Sequence, residues 1–404
     1  MVESSYPMLT PEEALGRVLA SVQPLAPVRL PMDQALGHVL AAEVRAAEDM
    51  PPFPSSAMDG YAVIAADPAP ERVVLGEQDA GYVQAPAVGP GTAVRIMTGA
   101  ALPPGADAVI PVEYAIEEDG RVRFTRAFPP RAHVRPVGQD LAAGDLVLAP
   151  GMALGAAEIG LLATMGYTEV AVHPRPRVAI MATGDELVSA DRTPGPGQIR
   201  DSNSHALAAA VRQFGGVPIP LGIVRDTEEA LRAAFGDALS RADALLTSGG
   251  VSMGRRDLIK PILEELGQVV FGRIAQKPGK PTTFALIRGV PAFGLPGFPV
   301  SSLVSAELYV RPALRVMAGF RAWRRPEVAA RLVHDIRHDP DRLEFQRAVV
   351  RWEGGQAWAS NTGDQVSGRL RSLVGANALL MLPAGVSDFH RGDEVRALLI
   401  AGGE

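Results

Sequence analysis

Apolar residues at helical spacing open the chain and then give way to short runs. Thr10, Pro11 and Glu13 form a capping box with proline at the first helical position. Leu15, Val18, Leu19 and Val22 then follow on one helical face. From about Pro51 to Asp140 the helical period is absent. Apolar runs at Arg72–Leu75, Ala93–Met97, Ala108–Val112 and Arg121–Thr125 alternate with Gly, Pro and Asp-Gly signals, which predicts an all-β region of short strands. Asp119-Gly120 has the chemistry of a hairpin turn. Leu154–Met165 returns to the helical period, with Gly166 as its C-terminal cap, and His173–Arg177 reads as a linker.

From Val178 onward, strand and helix patterns take turns. Val178–Ala182, Val217–Val224, Ala242–Thr247 and Pro291–Leu295 are expected strands. Ser202–Phe214, Thr227–Ser240, Asp257–Leu266 and Val300–Met317 are expected helices. Such alternation predicts a mainly parallel sheet with helices on both faces, whose ligands bind at loops beyond the carboxyl ends of the strands. After Arg325 the helical period disappears. Glu344–Trp352 and Gln356–Ser360 flank Gly354-Gly355 as a hairpin, and Ala378–Leu382 and Glu394–Ile400 are further strands, so the tail is expected to be a small β-barrel or sandwich. Trp323, Trp352 and Trp358 are expected to pack near it.

Composition narrows the class. With 42 Gly and 35 Pro among 404 residues, a coiled coil or simple helical bundle is excluded, while 47% hydrophobic residues argue against disorder. The net charge of −6 disfavours a general nucleic-acid binder. There is no cysteine, which removes disulfides, thiol nucleophiles, iron–sulfur clusters and Cys-type zinc sites, and fits a reducing compartment. No apolar stretch approaches the length of a membrane span, and the first residues lack the basic and apolar regions of a signal peptide. A cytoplasmic protein with no membrane partner is expected.

Several loops have the chemistry of a binding site. Thr247–Asp257 (TSGGVSMGRRD) joins a strand to a helix through glycines, a natural anion site that includes Gly249, Gly250 and Ser252; the plain alternative is a tight turn. The same loop matches G-x-S-x-G, the nucleophile elbow of hydrolases. That reading needs an acid and then a histidine downstream, and His334, His338 and His390 all fall in the β-rich tail. Gln276–Phe284 (QKPGKPTTF) fails as a P-loop because Pro281 stands where Ser or Thr belongs. It still holds Lys277 and Lys280 on a proline-stiffened turn suited to an anion. Asp185, Glu186, Asp226 and Asp257 follow successive strands, where acids can converge on Mg²⁺ or simply cap helices. Asp201 and Ser202 are expected to cap the next helix, with Asn203 reaching toward a ligand. Asp59 is pinned between prolines and a glycine, and Thr98 precedes Gly99 in a similar stretch. His334 and His338 are four apart, but the pattern there is not helical, so no shared metal face is expected.

Taken together, SSAMDGYAV, RIMTGA, RPVGQD, TGDEL, RDSN, TSGGVSMG, KPGKP and GLPGFPVS occur in an order that resembles the molybdopterin molybdenumtransferase family: bacterial MoeA and the E domain of gephyrin. The resemblance implies a multidomain α/β plus β architecture. Its parts are a discontinuous linking and dimerisation domain (1–50 and 141–176), a β-rich domain (51–140), an α/β/α domain (177–322) and a C-terminal β-barrel (323–404). It implies insertion of molybdate into adenylated molybdopterin with release of AMP, Mg²⁺ as cofactor, and a homodimer with its active cleft between subunits. Molybdopterin adenylyltransferase is a further partner it implies. By motif, Asp59, Thr98 and Asp140 come from the partner subunit, Glu186, Asp226 and Asp257 face the nucleotide and its Mg²⁺, and Asp201, Ser202, Asn203, Gly249, Gly250, Ser252, Arg273, Lys280 and Pro281 bind the substrate. Lys277, Lys280, Ser301, Arg347 and Ser367 are the implied oxyanion residues. One position departs from the family: Phe298 stands where Gly-Asn-Pro is usual.

Two other functions compete. An adenylyltransferase that makes the substrate would share the α/β domain, but the extra β-rich domains argue against it. A gephyrin-type scaffold relies on a fused partner domain and a long linker, neither of which is expected here.

Overall fold

The computed structural model describes residues 6–250 and 258–400. The chain divides into two compact units. One comprises residues 42–150 and 157–168, the other residues up to 41, 151–156 and from 169 onward.

The smaller unit is built from short strands. Its six-stranded sheet runs in the order Ala108–Pro111, Gly60–Val63, Thr92–Ile96, Arg72–Gln78, Arg121–Phe124, Ala115–Glu118. Asp119 and Gly120 form the predicted two-residue turn, with φ of +48° and +71° and Glu118 paired to Arg121. Alternation splits the core onto two faces: Tyr61, Val63, Ala93, Ala108 and Ile110 pack on one, Ala62, Val94, Ile96 and Val109 on the other. The helix Ala156–Thr164 ends before Gly166, which takes φ +74°.

In the larger unit, Thr10 caps the helix Pro11–Ala20 and Glu13 completes the capping box. The central sheet runs Val217–Val224, Arg177–Thr183, Ala244–Ser248, Val290–Leu295, all parallel, then Thr283–Ile287 and Gln268–Phe271 antiparallel. These last two strands have no equivalent in the sequence expectation, and they make the sheet mixed at one edge. Val178 and Ile180 face one hydrophobic layer with Leu207, Phe284, Phe293 and Leu314, while Ala179 and Met181 face another with Leu231, Phe235 and Ile262. The domain therefore has three layers, as expected.

Two boundaries differ from the sequence reading. The helix over Val300–Met317 holds a π-helical turn at Ala306–Val310, between Pro299–Ser305 and Arg311–Met317. Pro312 lacks the N–H that would continue the α-helical ladder there. The linker His173–Arg177 is shorter than its sequence suggests, because His173 ends one strand and Arg177 begins the next.

The tail is a closed five-stranded barrel. Leu343–Glu353, Gln356–Asn361, Glu327–Leu332, Glu394–Leu399 and Ala378–Leu382 pair in turn, and the last returns to the first. Closure removes the open edges that a sandwich would leave. The expected packing role of the tryptophans fails for Trp352, which is 61% exposed at the end of the hairpin, beyond the barrel core.

Candidate functional site

The segments that follow the parallel strands carry many of the candidates. Gly249 takes φ +92°, and a Cβ on it would sit 2.4 Å from the Thr183 carbonyl oxygen, so the loop can follow the Arg177–Thr183 strand this closely only with glycine. Asn203 ties two loops together: its Nδ2 donates to Ser248 Oγ and to the Gly297 carbonyl, both at 2.7 Å. Its amide is thereby committed to protein. Asp201, 6% exposed, accepts from Ser204 N at 3.0 Å and so caps the helix as expected, while the Ser202 side chain makes no capping bond. Glu186 is exposed and its carboxylate curls over Gly184.

Thr183 Oγ1 and Asp226 Oδ1 lie 3.4 Å apart, at the ends of neighbouring parallel strands. Thr183 is not among the sequence candidates, although it opens the TGDEL motif directly after the expected strand Val178–Ala182. Oxygen donors of this kind suit Mg²⁺, which is held by one or two carboxylates plus substrate phosphates and water. No cluster of three or more His, Cys, Asp or Glu that could hold a metal occurs among the described residues. Ser252 and Asp257 lie outside the described residues, and with them the hydrolase elbow.

The lysine turn stands on a buried polar base. Gln276, fully buried, accepts from the Tyr309 hydroxyl and donates to the Pro278 carbonyl at 2.9 Å. Thr282 Oγ1 donates to Gly279 O at 2.7 Å and lies 2.8 Å from Ser305 Oγ. Gly279 takes φ +103°, and a Cβ there would meet Ser305 Oγ and Gln276 Nε2 within 2.5 Å. Lys277, Lys280, Arg273 and Pro281 are half-buried around this base.

The tail barrel meets the lysine turn. Lys277, Glu344, Gln346, Asn361, Gln365 and Ser367 line a cavity of about 530 Å³. Of these, only Lys277 and Ser367 were expected from sequence. Arg347 does not open into it as an exposed cation. It is fully buried, with Nε donating to Ser372 Oγ at 3.0 Å and Nη2 to the Val366 carbonyl at 3.4 Å. Burial pushes its pKa down to about 10, so it stays charged at neutral pH. In this structure it braces the segment that carries Ser367. Ser301 is 5% exposed beside that segment, where Val300 N donates to the Ser367 carbonyl at 3.1 Å. Phe298 is 65% exposed, and its ring lies within van der Waals reach of any Cβ added at Gly368.

In the smaller unit, Asp59 Oδ1 accepts from Thr98 Oγ1 at 2.6 Å and Thr98 N at 2.7 Å. Gly60 pairs with Ile96, which brings the two motifs to one end of adjacent strands. A Cβ at Gly60 would lie 2.1 Å from the Ile110 carbonyl oxygen, which explains the Asp-Gly pair. The Thr98 hydroxyl, and then its N–H, lower the Asp59 pKa. A carboxyl with a lowered pKa stays charged to lower pH. Thr98→Val is therefore expected to raise the Asp59 pKa toward its usual value and move the acid limb of the activity profile to higher pH; NMR titration of Asp59 checks this. Asp140 is held instead by Arg135 Nη2, at 2.6 Å.

A three-layer α/β domain with a Gly-rich strand-end loop, a paired-lysine turn and a barrel-lined cavity has the chemistry of an anion site. The comparisons with known proteins name its family. Residues 9–166 match the MoeA N-terminal region (domain I and II), 179–316 a probable molybdopterin binding domain, and 329–400 the MoeA C-terminal region (domain IV). Molybdopterin molybdenumtransferase 1 of Mycobacterium tuberculosis is 35% identical, with 98% of this chain and 99% of that protein covered. Molybdopterin molybdenumtransferase of Staphylococcus epidermidis is 33% identical, with 98% and 97% covered. The crystal structure of a molybdopterin biosynthesis MoeA protein from Pyrococcus horikoshii superposes with a TM-score of 0.83 at 33% identity, covering 98% of this chain and 100% of that one. The chain belongs to the MoeA family of molybdopterin molybdenumtransferases.

Proposed function

We propose that the chain acts in molybdenum cofactor biosynthesis as a molybdopterin molybdenumtransferase: it inserts molybdate into adenylated molybdopterin and releases AMP. The observation that carries this is the cavity that Lys277 and Ser367 both line, with Ser367 tied through its carbonyl to Val300 just after the parallel strand Val290–Leu295. Molybdate is a tetrahedral dianion, and fixed lysine and hydroxyl donors suit it. Lys280 lies on the same turn as Lys277, and Ser301 follows Val300, whose N donates to the Ser367 carbonyl; both would add to that donor set. Arg347 supports it from behind.

Asp226, with Thr183, would hold Mg²⁺ against the substrate's phosphates, and the ion would screen their charge as the pyrophosphate bond breaks. Gly249 and Gly250 would present backbone N–H groups to the nucleotide. In this reading the chain works as a homodimer in which Asp59, Thr98 and Asp140 of one subunit complete the cleft of the other, and Asp59 organises the reacting group rather than acting as a nucleophile. Most of the catalysis is then positioning and charge stabilisation.

The test is AMP release from adenylated molybdopterin with and without added molybdate. Molybdate-dependent release is expected, and release that ignores molybdate overturns the reading. Incubation with ATP and molybdopterin alone should give no adenylyl transfer.

A further inference from the structure

Glu344 is a buried acid whose charge has no part in the chemistry above, and strand register explains where it points. The two-residue strand Gln276–Lys277 pairs in parallel with Leu343–Glu344, so a segment of the α/β domain joins the barrel's sheet with Lys277 opposite Glu344. Partners opposite one another across a sheet are close enough for their side chains to interact. Here Glu344 Oε1 lies 3.2 Å from Lys277 Nζ.

The two ends of this pair differ in environment. The Glu344 side chain is 2% exposed and that of Lys277 is 42% exposed, so the carboxylate lies inside the cavity wall and the ammonium at its opening. The other carboxylate oxygen, Oε2, lies 3.4 Å from Nδ1 of the buried His338, without a hydrogen bond to it. Lys277 is therefore the ion-pair partner of this carboxylate, and the charge of the buried Arg347 also offsets the cost of burying it. A free lysine has a long flexible stem, and ordering it on binding costs entropy. A buried acid in register with it removes that cost in advance.

We propose that Glu344 is a positioning residue that holds the Lys277 ammonium at the mouth of the cavity, aimed at a tetrahedral oxyanion. This rests on the reading of Lys277 as an oxyanion donor. Glu344 itself does not touch the anion, since like charges repel. Its contribution is to capture of the oxyanion, so it belongs in KM for molybdate rather than in kcat. The barrel and the lysine turn thereby form one anion-binding unit.

A double-mutant cycle on the full-length protein tests this, with molybdate as the probe in both calorimetry and AMP-release kinetics. Glu344→Gln keeps the shape and removes the charge. It is expected to raise the molybdate KM about tenfold with kcat within about twofold. In a Lys277→Met background, adding Glu344→Gln should change molybdate binding less than about twofold, because the group it positions is gone. Unchanged or tighter molybdate binding by Glu344→Gln overturns the proposal, and so do effects that multiply in the double variant, which is what a merely structural role predicts. If Glu344→Gln fails to fold, Glu344→Asp takes its place; it keeps the charge one methylene short and should give a smaller rise in KM. A wild-type protein that binds no molybdate would instead refute the functional reading, so the two failures are distinguishable.

Discussion

Arg347→Ala is expected to destabilise the protein by about 3–5 kcal/mol, the range for removing a large, fully buried and hydrogen-bonded side chain. Arg347 is the largest fully buried side chain among the described residues. Truncating it leaves a void in the tail domain and removes the donors to Ser372 Oγ and the Val366 carbonyl. Its own backbone is also engaged, accepting from Thr362 N at 2.9 Å and donating to Gln365 Oε1 at 2.8 Å, so the segment from Thr362 to Ser372 is fastened to this one residue. Ser367 sits on that segment, and molybdate binding should weaken along with stability. Lysine cannot replace the forked guanidinium, so Arg347→Lys should recover only part of the loss. Denaturant unfolding, together with hydrogen exchange on the barrel strands, checks the prediction. A variant within about 1 kcal/mol of wild type would contradict the bracing role.

Lys277→Met is expected to lower molybdate-dependent AMP release by about 10²–10³, the usual cost of deleting one donor to a developing or bound oxyanion. The ammonium is partly exposed, and methionine retains most of the apolar stem, so the fold should persist. Circular dichroism separates that outcome from unfolding. The variant removes the ion-pair partner of Glu344 and leaves it only the charge of Arg347, and a modest fall in melting temperature should accompany the loss of activity. Excess molybdate should recover part of the rate. A Lys277→Met enzyme within a few-fold of wild type would remove Lys277 from the oxyanion site.

Local rules made much of this legible. The capping box at Thr10 and Glu13, the Asp119-Gly120 turn and the Gly354-Gly355 hairpin are decided by residues adjacent in sequence, and they form as expected. The parallel strands also stand out, because burial on both faces demands continuous apolar runs. The antiparallel strands Gln268–Phe271 and Thr283–Ile287 do not. They are short and lie beside glycines and prolines, and pairing makes them strands: Thr283–Ile287 with Val290–Leu295, and Gln268–Phe271 with Thr283–Ile287. Trp352 shows the same limit from the other side: its size suggests a core, but it stands at the end of a hairpin that reaches beyond the barrel.

The candidate site divides in the same way. The motifs mark Gly249, but the close approaches that demand glycine at Gly249, Gly60 and Gly279 are to Thr183, Ile110 and Ser305, residues distant in sequence. Lys277 and Ser367 could be named by motif. What their neighbours would be could not. Glu344 is 67 positions from Lys277 and Thr183 is 43 from Asp226. Nothing in either segment alone marks the other as its partner.

Sequence alone set most of the elements, the loops that carry glycine, lysine and acid, and the family to which the chain belongs. Tertiary structure decided which of those side chains meet. It turned Arg347 inward, committed Asn203 to tying two loops together, and set Lys277 against Glu344 through a parallel pairing between distant strands. The physical reason is range. Caps, turns and periodicity act over a few residues, whereas burial and pairing depend on which distant segments the core brings together.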